Sequence, residues 1–237
     1  MMEVLKVTVS APVVSFRRPL DHNFQRTLPL PPPTTLLGLA GAALGLSDRE
    51  LWEAGSPTYS LKVAVLSWCE PGKAKDMWTV MKIKTGKIAE RSPYFRELLF
   101  FHRLSLIYGG DIDILRMLKT AFEDPVYPLS LGREDELIKI EEVGLVEVSS
   151  GIPRFRGTVI PEDIKKLNLN IDLREGIRFE PPVVEVLPLR FELDAKGIRA
   201  PKEKRAFSFI PYSLELTIQG IQPVFSLEGR NFTWMNF

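Results

Sequence analysis

Cysteine and histidine are scarce in this sequence: of 237 residues, one is cysteine and two are histidine. A single cysteine, Cys69, excludes an intramolecular disulfide bond and any zinc cluster built from cysteines. Because Cys69 follows Leu66 and Trp68 within a short apolar stretch, we expect a buried, unreactive thiol rather than a nucleophile.

Long hydrophobic runs are also missing. The longest apolar stretch, residues 34–46, is too short to span a bilayer and is rich in glycine and alanine. The first residues do not show the charged and then apolar pattern of a signal peptide. We therefore expect a cytoplasmic protein that has no contact with a membrane.

The motifs that usually mark an enzyme or a cofactor site are not found. There is no phosphate-binding loop, dinucleotide fingerprint, serine elbow or metal-binding pair of histidines. The acidic run Glu134-Asp135-Glu136 lacks the spacing of a calcium loop, and we interpret it as a solvated surface. The sequence thus predicts neither a cofactor nor a metal.

Charge is distributed unevenly along the chain although its formal net charge is only +1. Residues 1–110 contain 14 Lys and Arg against 9 Asp and Glu, whereas residues 111–180 contain 10 against 15. A basic first half and an acidic middle suit a protein that places one surface on a polyanion and another on protein.

The pattern of apolar residues predicts an α+β protein. Strands are expected over residues 3–10, 60–68 and 97–108. One helix is expected to be capped by Thr34 or Thr35 and to run to Leu44, where Gly45 ends it, and a second to be capped by Gly109-Gly110-Asp111 and to run to Phe122. The capping box Ser47-Asp48-Arg49-Glu50 predicts a further short helical turn. Further strands are expected at 126–131 and 137–148, and residues 194–205 are expected to be a polar link between strands of the C-terminal part. The β-α-β-β-α-β order is that of a ferredoxin-like (RRM-like) domain, which we assign to residues 1–148, with a small β-rich C-terminal domain at 149–237.

Residues 71–91 are basic and contain aromatic and aliphatic residues between the lysines. We expect a long β-hairpin that projects from the domain, because few of its residues could join a core. Lysines in such a hairpin could follow the phosphates of an RNA, while the interleaved aromatic side chains could stack on its bases.

Two motifs, in this order, resemble one known family. Residues 28–45, LPLPPPTTLLGLAGAALG, are a proline run that leads into a helix of small residues, and residues 127–133 read YPLSLGR. With the opening strand and Ser15-Phe16-Arg17-Arg18-Pro19, they are similar to the Cas-five family of CRISPR-associated proteins, within the RAMP superfamily. The similarity covers about residues 3–135.

The resemblance implies a non-catalytic subunit of a type I Cascade-like surveillance complex in antiviral defence. Such a subunit binds the 5′ handle of the guide crRNA and contacts the Cas-seven-family backbone subunit and the large subunit. The basic hairpin would act as a thumb over the guide. The RNA-binding residues expected here are Arg17, Arg18, Arg26, Lys73, Lys75, Lys82, Lys84, Lys87 and Arg133.

Two alternatives remain open from the sequence. A metal-independent endoribonuclease that processes precursor crRNA would need a proton-transfer residue, and His102 is the candidate. Its apolar neighbours instead favour a hydrogen-bonded histidine of the core or sheet edge, while His22 is expected to be solvated or to cap a turn. In the second alternative the chain is only a scaffold, with RNA held by other subunits.

Overall fold

The computed structural model describes residues 2–172 and 180–236. Its strands and α-helices, in chain order, are β1 (Met2–Val14), β2 (Phe16–Arg17), β3 (Phe24–Gln25), β4 (Thr27–Leu28), α1 (Pro33–Leu44), α2 (Asp48–Trp52), β5 (Lys62–Ser67), β6 (Gly72–Lys84), β7 (Lys87–Gly109), α3 (Ile112–Glu123), β8 (Lys139–Ser150), β9 (Arg154–Ile160), β10 (Leu169–Asp172), β11 (Val183–Leu193), β12 (Arg199–Ile218), β13 (Phe225–Leu227) and β14 (Arg230–Phe232).

The first helix begins and ends at residues that suit helix termini. Pro33 occupies the first turn, where its missing N–H costs nothing, and Gly45 closes the helix in a left-handed conformation with φ of 75°. The expectation that Thr34 or Thr35 caps the helix is wrong, since the helix starts before them and Pro32 precedes it without a side-chain cap.

A four-stranded antiparallel unit lies at the centre of the molecule, with strand order β5-β7-β1-β8. Helix α1 lies between β1 and β5 in the chain, and α3 between β7 and β8. Side chains of β1 that alternate along the strand, including Leu5 and Val7, pack in one core with Leu115 and Leu118 of α3. The helices therefore cover one face of this sheet.

The opposite face is covered by the end of the chain. Val4, Leu66 and Ile107 pack there with Phe232 and Trp234. A third apolar cluster lies between β9 and β12. The C-terminal strands extend the same sheet, since β9 pairs with β5, β12 with β9 and β13 with β8. The division at residue 149 stays a prediction.

Three local expectations are corrected. Residues 126–131 form a loop with a single bridge between Ser130 and Leu137, and Pro128 removes one donor that a strand there would need. Residues 194–205, expected as a polar link, are the end of a hairpin in which Leu193 pairs with Arg199. The thiol of Cys69 is half-buried and accepts a hydrogen bond from the backbone N–H of Arg103 at 3.3 Å.

Within the described residues, no helix is long and apolar enough to cross a membrane.

Candidate nucleic-acid interface

The hairpin of β6 and β7 has two different faces. Trp78 lies opposite Tyr94 and Val80 opposite Ser92, so these side chains share one face, which we call the inner face. Lys75, Met77 and Phe95 lie on the outer face. The strands are joined by Thr85 and Gly86, both with positive φ.

Arg133 stacks on the inner face of the hairpin. Its guanidinium lies 4.6 Å from the centre of the Trp78 ring, and that of Arg96 lies 5.2 Å from the same ring. Arg96 is also bonded to Asp76 at 2.8 Å, while Arg133 donates to the side-chain oxygen of Gln25. An arginine held over an indole keeps its charge and presents its N–H groups at the ring edge.

The loop that contains Arg133 is fixed by a buried carboxylate. Glu136 is only 4% exposed and accepts hydrogen bonds from the backbone N–H of Ser15 at 2.7 Å, the Ser15 hydroxyl at 2.5 Å and the backbone N–H of Arg133 at 3.0 Å. The expectation of a solvated Glu136 is therefore wrong, although Glu134 and Asp135 are exposed.

Gly132 allows the loop to approach the end of β1. Its φ is +119°, and a Cβ atom there would clash with the carbonyl oxygen of Ser15 and with the Glu136 carboxylate. Two residues of the YPLSLGR motif thus have a physical role. Gly132 permits the close approach to β1, and Arg133 reaches the hairpin.

These groups surround a cavity of about 430 Å³, which we call the Trp78 cavity. The N-terminus of α1 reaches it through Pro32 and Thr35, and helix N-termini carry a partial positive charge. Arg17 also lines it and donates to the carbonyl oxygen of Asp21 at 2.7 Å. Two cations, three aromatic rings and a helix N-terminus therefore meet at one concave surface.

A second cavity of about 480 Å³, the Lys73 cavity, lies at the base of the outer face. Its lining contains four of the predicted cations: Arg18, Arg26, Lys73 and Lys75. Three of these are ion-paired, Arg18 with Glu185, Arg26 with Asp21, and Lys73 with Glu180. The hydrogen bond from Arg26 holds the pKa of Asp21 below its usual range.

The remaining predicted cations lie away from both cavities. Lys82 pairs with Glu90 at 2.9 Å near the distal end of the hairpin, and Lys84 lies opposite Lys87 beside the turn. The structure thus brings together Arg17 and Arg133 at one cavity and four further cations at the other, but not the three distal lysines.

His102 is placed where the core interpretation predicted. Its side chain is 1% exposed, and its Nε2 lies 3.0 Å from the Ser67 hydroxyl. Burial, with a smaller contribution from the charge of Lys73, lowers its pKa to about 4. A ring enclosed in this way is not accessible to the 2′-hydroxyl of an RNA. His22 is exposed, as expected.

Sequence reasoning missed Tyr94 and Arg96 and misjudged Glu136. The register of the hairpin could have identified Tyr94 and Arg96, because Tyr94 lies opposite Trp78 and Arg96 opposite Asp76 on the inner face. No local signal marked Glu136, since its partner Ser15 is 121 residues away in the chain.

Comparison with known proteins gives one family. The profile of the family described as CRISPR-associated protein (Cas_Cas5) matches residues 4–185. No curated protein sequence matches the chain.

Two solved structures share the fold. A chain of a CRISPR RNA-guided surveillance complex is similar with a TM-score of 0.60, 14% identity and 91% of each chain covered. A CRISPR protein from Archaeoglobus fulgidus gives a TM-score of 0.55 and 12% identity, covering 97% of this chain and 98% of the other. These likenesses concern the fold, whereas the family match spans most of the sequence. The chain therefore belongs to the Cas5 family of CRISPR-associated proteins.

Proposed function

We propose that this chain is a cytoplasmic, non-catalytic subunit of a type I Cascade-like CRISPR complex that binds the 5′ handle of the guide crRNA. In this proposal β1, α1, β5, β7, α3 and β8 form the ferredoxin-like unit, and the hairpin of β6 and β7 is the thumb. The backbone subunit, the large subunit and the crRNA are its proposed partners. The similar fold of a chain from an RNA-guided surveillance complex supports this assignment.

The stack of Arg133 on Trp78 is the observation that carries the proposal. It joins three segments far apart in the sequence, namely the proline run before α1, the hairpin, and the loop at Gly132, around one cavity. Cations bind phosphates, and an aromatic ring next to them offers a stacking surface for an unpaired base. Single-stranded RNA is recognised by this combination.

The endoribonuclease alternative receives no comparable support. A general base must lie within hydrogen-bonding distance of the hydroxyl that it deprotonates. The Nε2 atom of His102 is instead directed at Ser67, and the whole side chain is buried beneath the sheet surface.

A filter-binding titration with repeat-derived RNA in EDTA tests the proposal, with and without the backbone subunit. We expect salt-sensitive binding with RNA that stays intact on a denaturing gel. Arg133→Gln should weaken binding about tenfold, as expected when one charged phosphate contact is lost. The control Arg116→Gln removes an exposed arginine of α3 that lines neither cavity, and it should leave affinity unchanged.

Two results would contradict the proposal. A single defined cleavage product in EDTA, lost on His102→Ala, would favour the nuclease. Assembly with the other subunits without any crosslink between this chain and RNA would favour a scaffold.

A further inference from the structure

Two arginines stack on one tyrosine at a place that no sequence motif marked. The guanidinium of Arg156 lies 4.1 Å from the centre of the Tyr212 ring, and that of Arg230 lies 5.2 Å from it. Arg230 also lies 5.7 Å from the ring of Trp68. The cluster is carried by β9, β12 and β14, of which β9 lies far from the other two in the chain.

A bulge in β12 places Tyr212 there. The register with β9 shifts between Ile210, which pairs with Thr158, and Glu215, which pairs with Arg156. The intervening residues leave the ladder, and bulges of this kind redirect side chains out of a sheet. The Glu70 carboxylate fixes the bulge by accepting the backbone N–H of Ser213 at 2.9 Å.

Hydrogen bonds hold the arginines in place. Arg156 donates through Nε to the carbonyl oxygen of Tyr212 at 2.5 Å, and Arg230 donates to the carbonyl oxygen of Arg156 at 2.7 Å. Gly157, which follows Arg156, has a φ of +57°. A Cβ atom there would lie 3.1 Å from the Cβ atom of Ser67 and 3.3 Å from the Arg230 guanidinium, so a larger residue would crowd both neighbours.

The cluster carries positive charge without a bound carboxylate. Among residues 2–172 and 180–236, neither Arg156 nor Arg230 forms an ion pair with an acidic side chain, while the nearby Glu215 is paired with Arg154. Burial and the charge of Arg156 lower the pKa of Arg230. Two like charges held this close would be stabilised by an anion.

A cavity of about 510 Å³ gives an anion access to Arg156, whereas Arg230 lies behind it and does not line the cavity. Arg156, Tyr212 and Ser213 line it with the Glu70 carboxylate that holds the bulge. Lys73 and Glu180, which form an ion pair, line both this cavity and the Lys73 cavity. The new cavity thus continues the basic surface formed by Arg18, Arg26, Lys73 and Lys75. That continuity favours a chain of phosphates over a separate small anion.

We infer that Arg156, supported by Arg230 behind it, forms a phosphate subsite for single-stranded RNA, reached from the Lys73 cavity and distinct from the Trp78 cavity. The inference rests on the proposed function, because the same RNA strand is to occupy both sites. Tyr212 orients the guanidinium groups rather than stacking on a base, since its ring already carries both. The outer N–H groups of Arg156 then donate to phosphate oxygens.

The test compares two arginines in the same local geometry. Arg190 lies 3.7 Å from the centre of the Tyr59 ring and donates to the carbonyl oxygen of Tyr59 at 2.7 Å, but it lines none of the three cavities above. Full-length Arg156→Gln and Arg190→Gln are titrated with single-stranded repeat RNAs of increasing length at several salt concentrations. Circular dichroism first checks that both variants are folded.

We expect Arg156→Gln to bind long RNAs about 3- to 10-fold more weakly and to reduce the salt slope by about 0.7, the value for one phosphate contact on a single strand. The shortest RNAs that still bind should be unaffected, as should Arg190→Gln at every length. Arg156→Lys keeps the charge but loses the planar donor pair, so it should restore the salt slope and only part of the affinity.

Three outcomes would overturn the inference. Equal affinities of Arg156→Gln and wild type for all RNAs, with Arg133→Gln still impaired, would reject the second subsite but keep the proposed function. Calorimetric binding of inorganic phosphate that Arg156→Gln abolishes, with RNA affinity unchanged, would indicate a free anion. If Arg156→Gln weakens only the binding of an acidic partner subunit and not that of RNA, the cluster is a contact with protein. If wild type binds no RNA, the proposed function itself fails.

Discussion

At the scale of single residues, the buried carboxylate of Glu136 shows how an acidic run can hide one structural group. Its three donors come from Ser15 and Arg133, and together they attach the loop of Arg133 to the end of β1. Glu134 and Asp135, its neighbours in the run, remain exposed. Of the three acidic residues, only Glu136 therefore fixes the position of Arg133.

Glu136→Gln should lower the free energy of unfolding by about 2–3 kcal/mol, because an amide cannot accept all three hydrogen bonds and leaves a buried donor unpaired. Urea denaturation measures this change. The control Glu134→Gln alters an exposed group of the same loop and should change stability by less than about 0.5 kcal/mol. Equal effects of the two substitutions would show that Glu136 is not the anchor.

His102 makes stability depend on pH in a defined direction. Its pKa is about 4 in the folded protein, below the ordinary value of 6.5. Between these values the unfolded chain binds the proton and the folded chain does not, so stability is lost as pH falls from 6.5 towards 4. The difference of about 2.5 pH units corresponds to about 3 kcal/mol.

His102→Gln should remove this part of the pH dependence, because glutamine does not titrate and can still bond to Ser67. The measurement is urea denaturation of wild type and variant at pH 7.5 and pH 4.5. Carboxylates titrate equally in both proteins, so only the difference between them reports on His102. If the free energies of unfolding of wild type and variant differ by the same amount at both pH values, His102 is not the source of this pH dependence.

At the level of secondary-structure elements, the two faces of the hairpin of β6 and β7 carry different kinds of side chain. Trp78 and Tyr94 on the inner face meet Arg133, while Lys75 on the outer face lies 5.3 Å from the ring of Phe24. Strand alternation alone produces this division, since neighbouring residues point to opposite sides. The basic character noted in the sequence therefore belongs to the outer face and the tip.

Replacing the five lysines of the hairpin by alanine should weaken binding of guide RNA and reduce its salt slope by up to about 3.5, at about 0.7 for each phosphate contact. Replacing only the distal three should give a smaller reduction if the base of the hairpin carries most contacts. The substituted residues are Lys73, Lys75, Lys82, Lys84 and Lys87.

Filter binding at several salt concentrations measures these slopes. The matched control replaces Lys119 of α3 together with Lys165 and Lys166 of the short 3-10 helix Ile164–Lys166. These three lysines line none of the three cavities. An unchanged slope in the five-lysine variant would count against the thumb assignment.

At the scale of the whole molecule, the last strands complete the core of the first half. Trp234 is 1% exposed and packs with Val4, Leu66 and Ile107. The side chain of Asn236 accepts the backbone N–H of Val63 at 2.7 Å and donates to the carbonyl oxygen of Leu61 at 2.7 Å. The edge of β5 is thus paired by residues at the far end of the sequence.

Trp234→Ala should lower the free energy of unfolding by about 3–5 kcal/mol, the usual cost of removing a buried tryptophan from a core. We expect one cooperative transition that fluorescence and circular dichroism report at the same urea concentration. The control Phe101→Ala removes an aromatic side chain that is 78% exposed and should have little effect. Two separate transitions would instead support independent domains on either side of residue 149.

Elements with local signals could be predicted from the sequence. Periodicity located β1, β5, α1 and α3, and Gly45, Asp111 and the Ser47–Glu50 capping box marked helix ends correctly. The proline run and the YPLSLGR motif pointed to the family that the profile match then showed.

Contacts between distant side chains could not be predicted in this way and follow from the three-dimensional fold. The stack of Arg133 on Trp78, the burial of Glu136 by Ser15 and the cluster at Tyr212 all join residues more than fifty positions apart in the chain. Such contacts depend on strand register and on a bulge, and neither leaves a local pattern of residues. The sequence therefore predicted which types of residue belong to the site, but not how these residues are arranged in space.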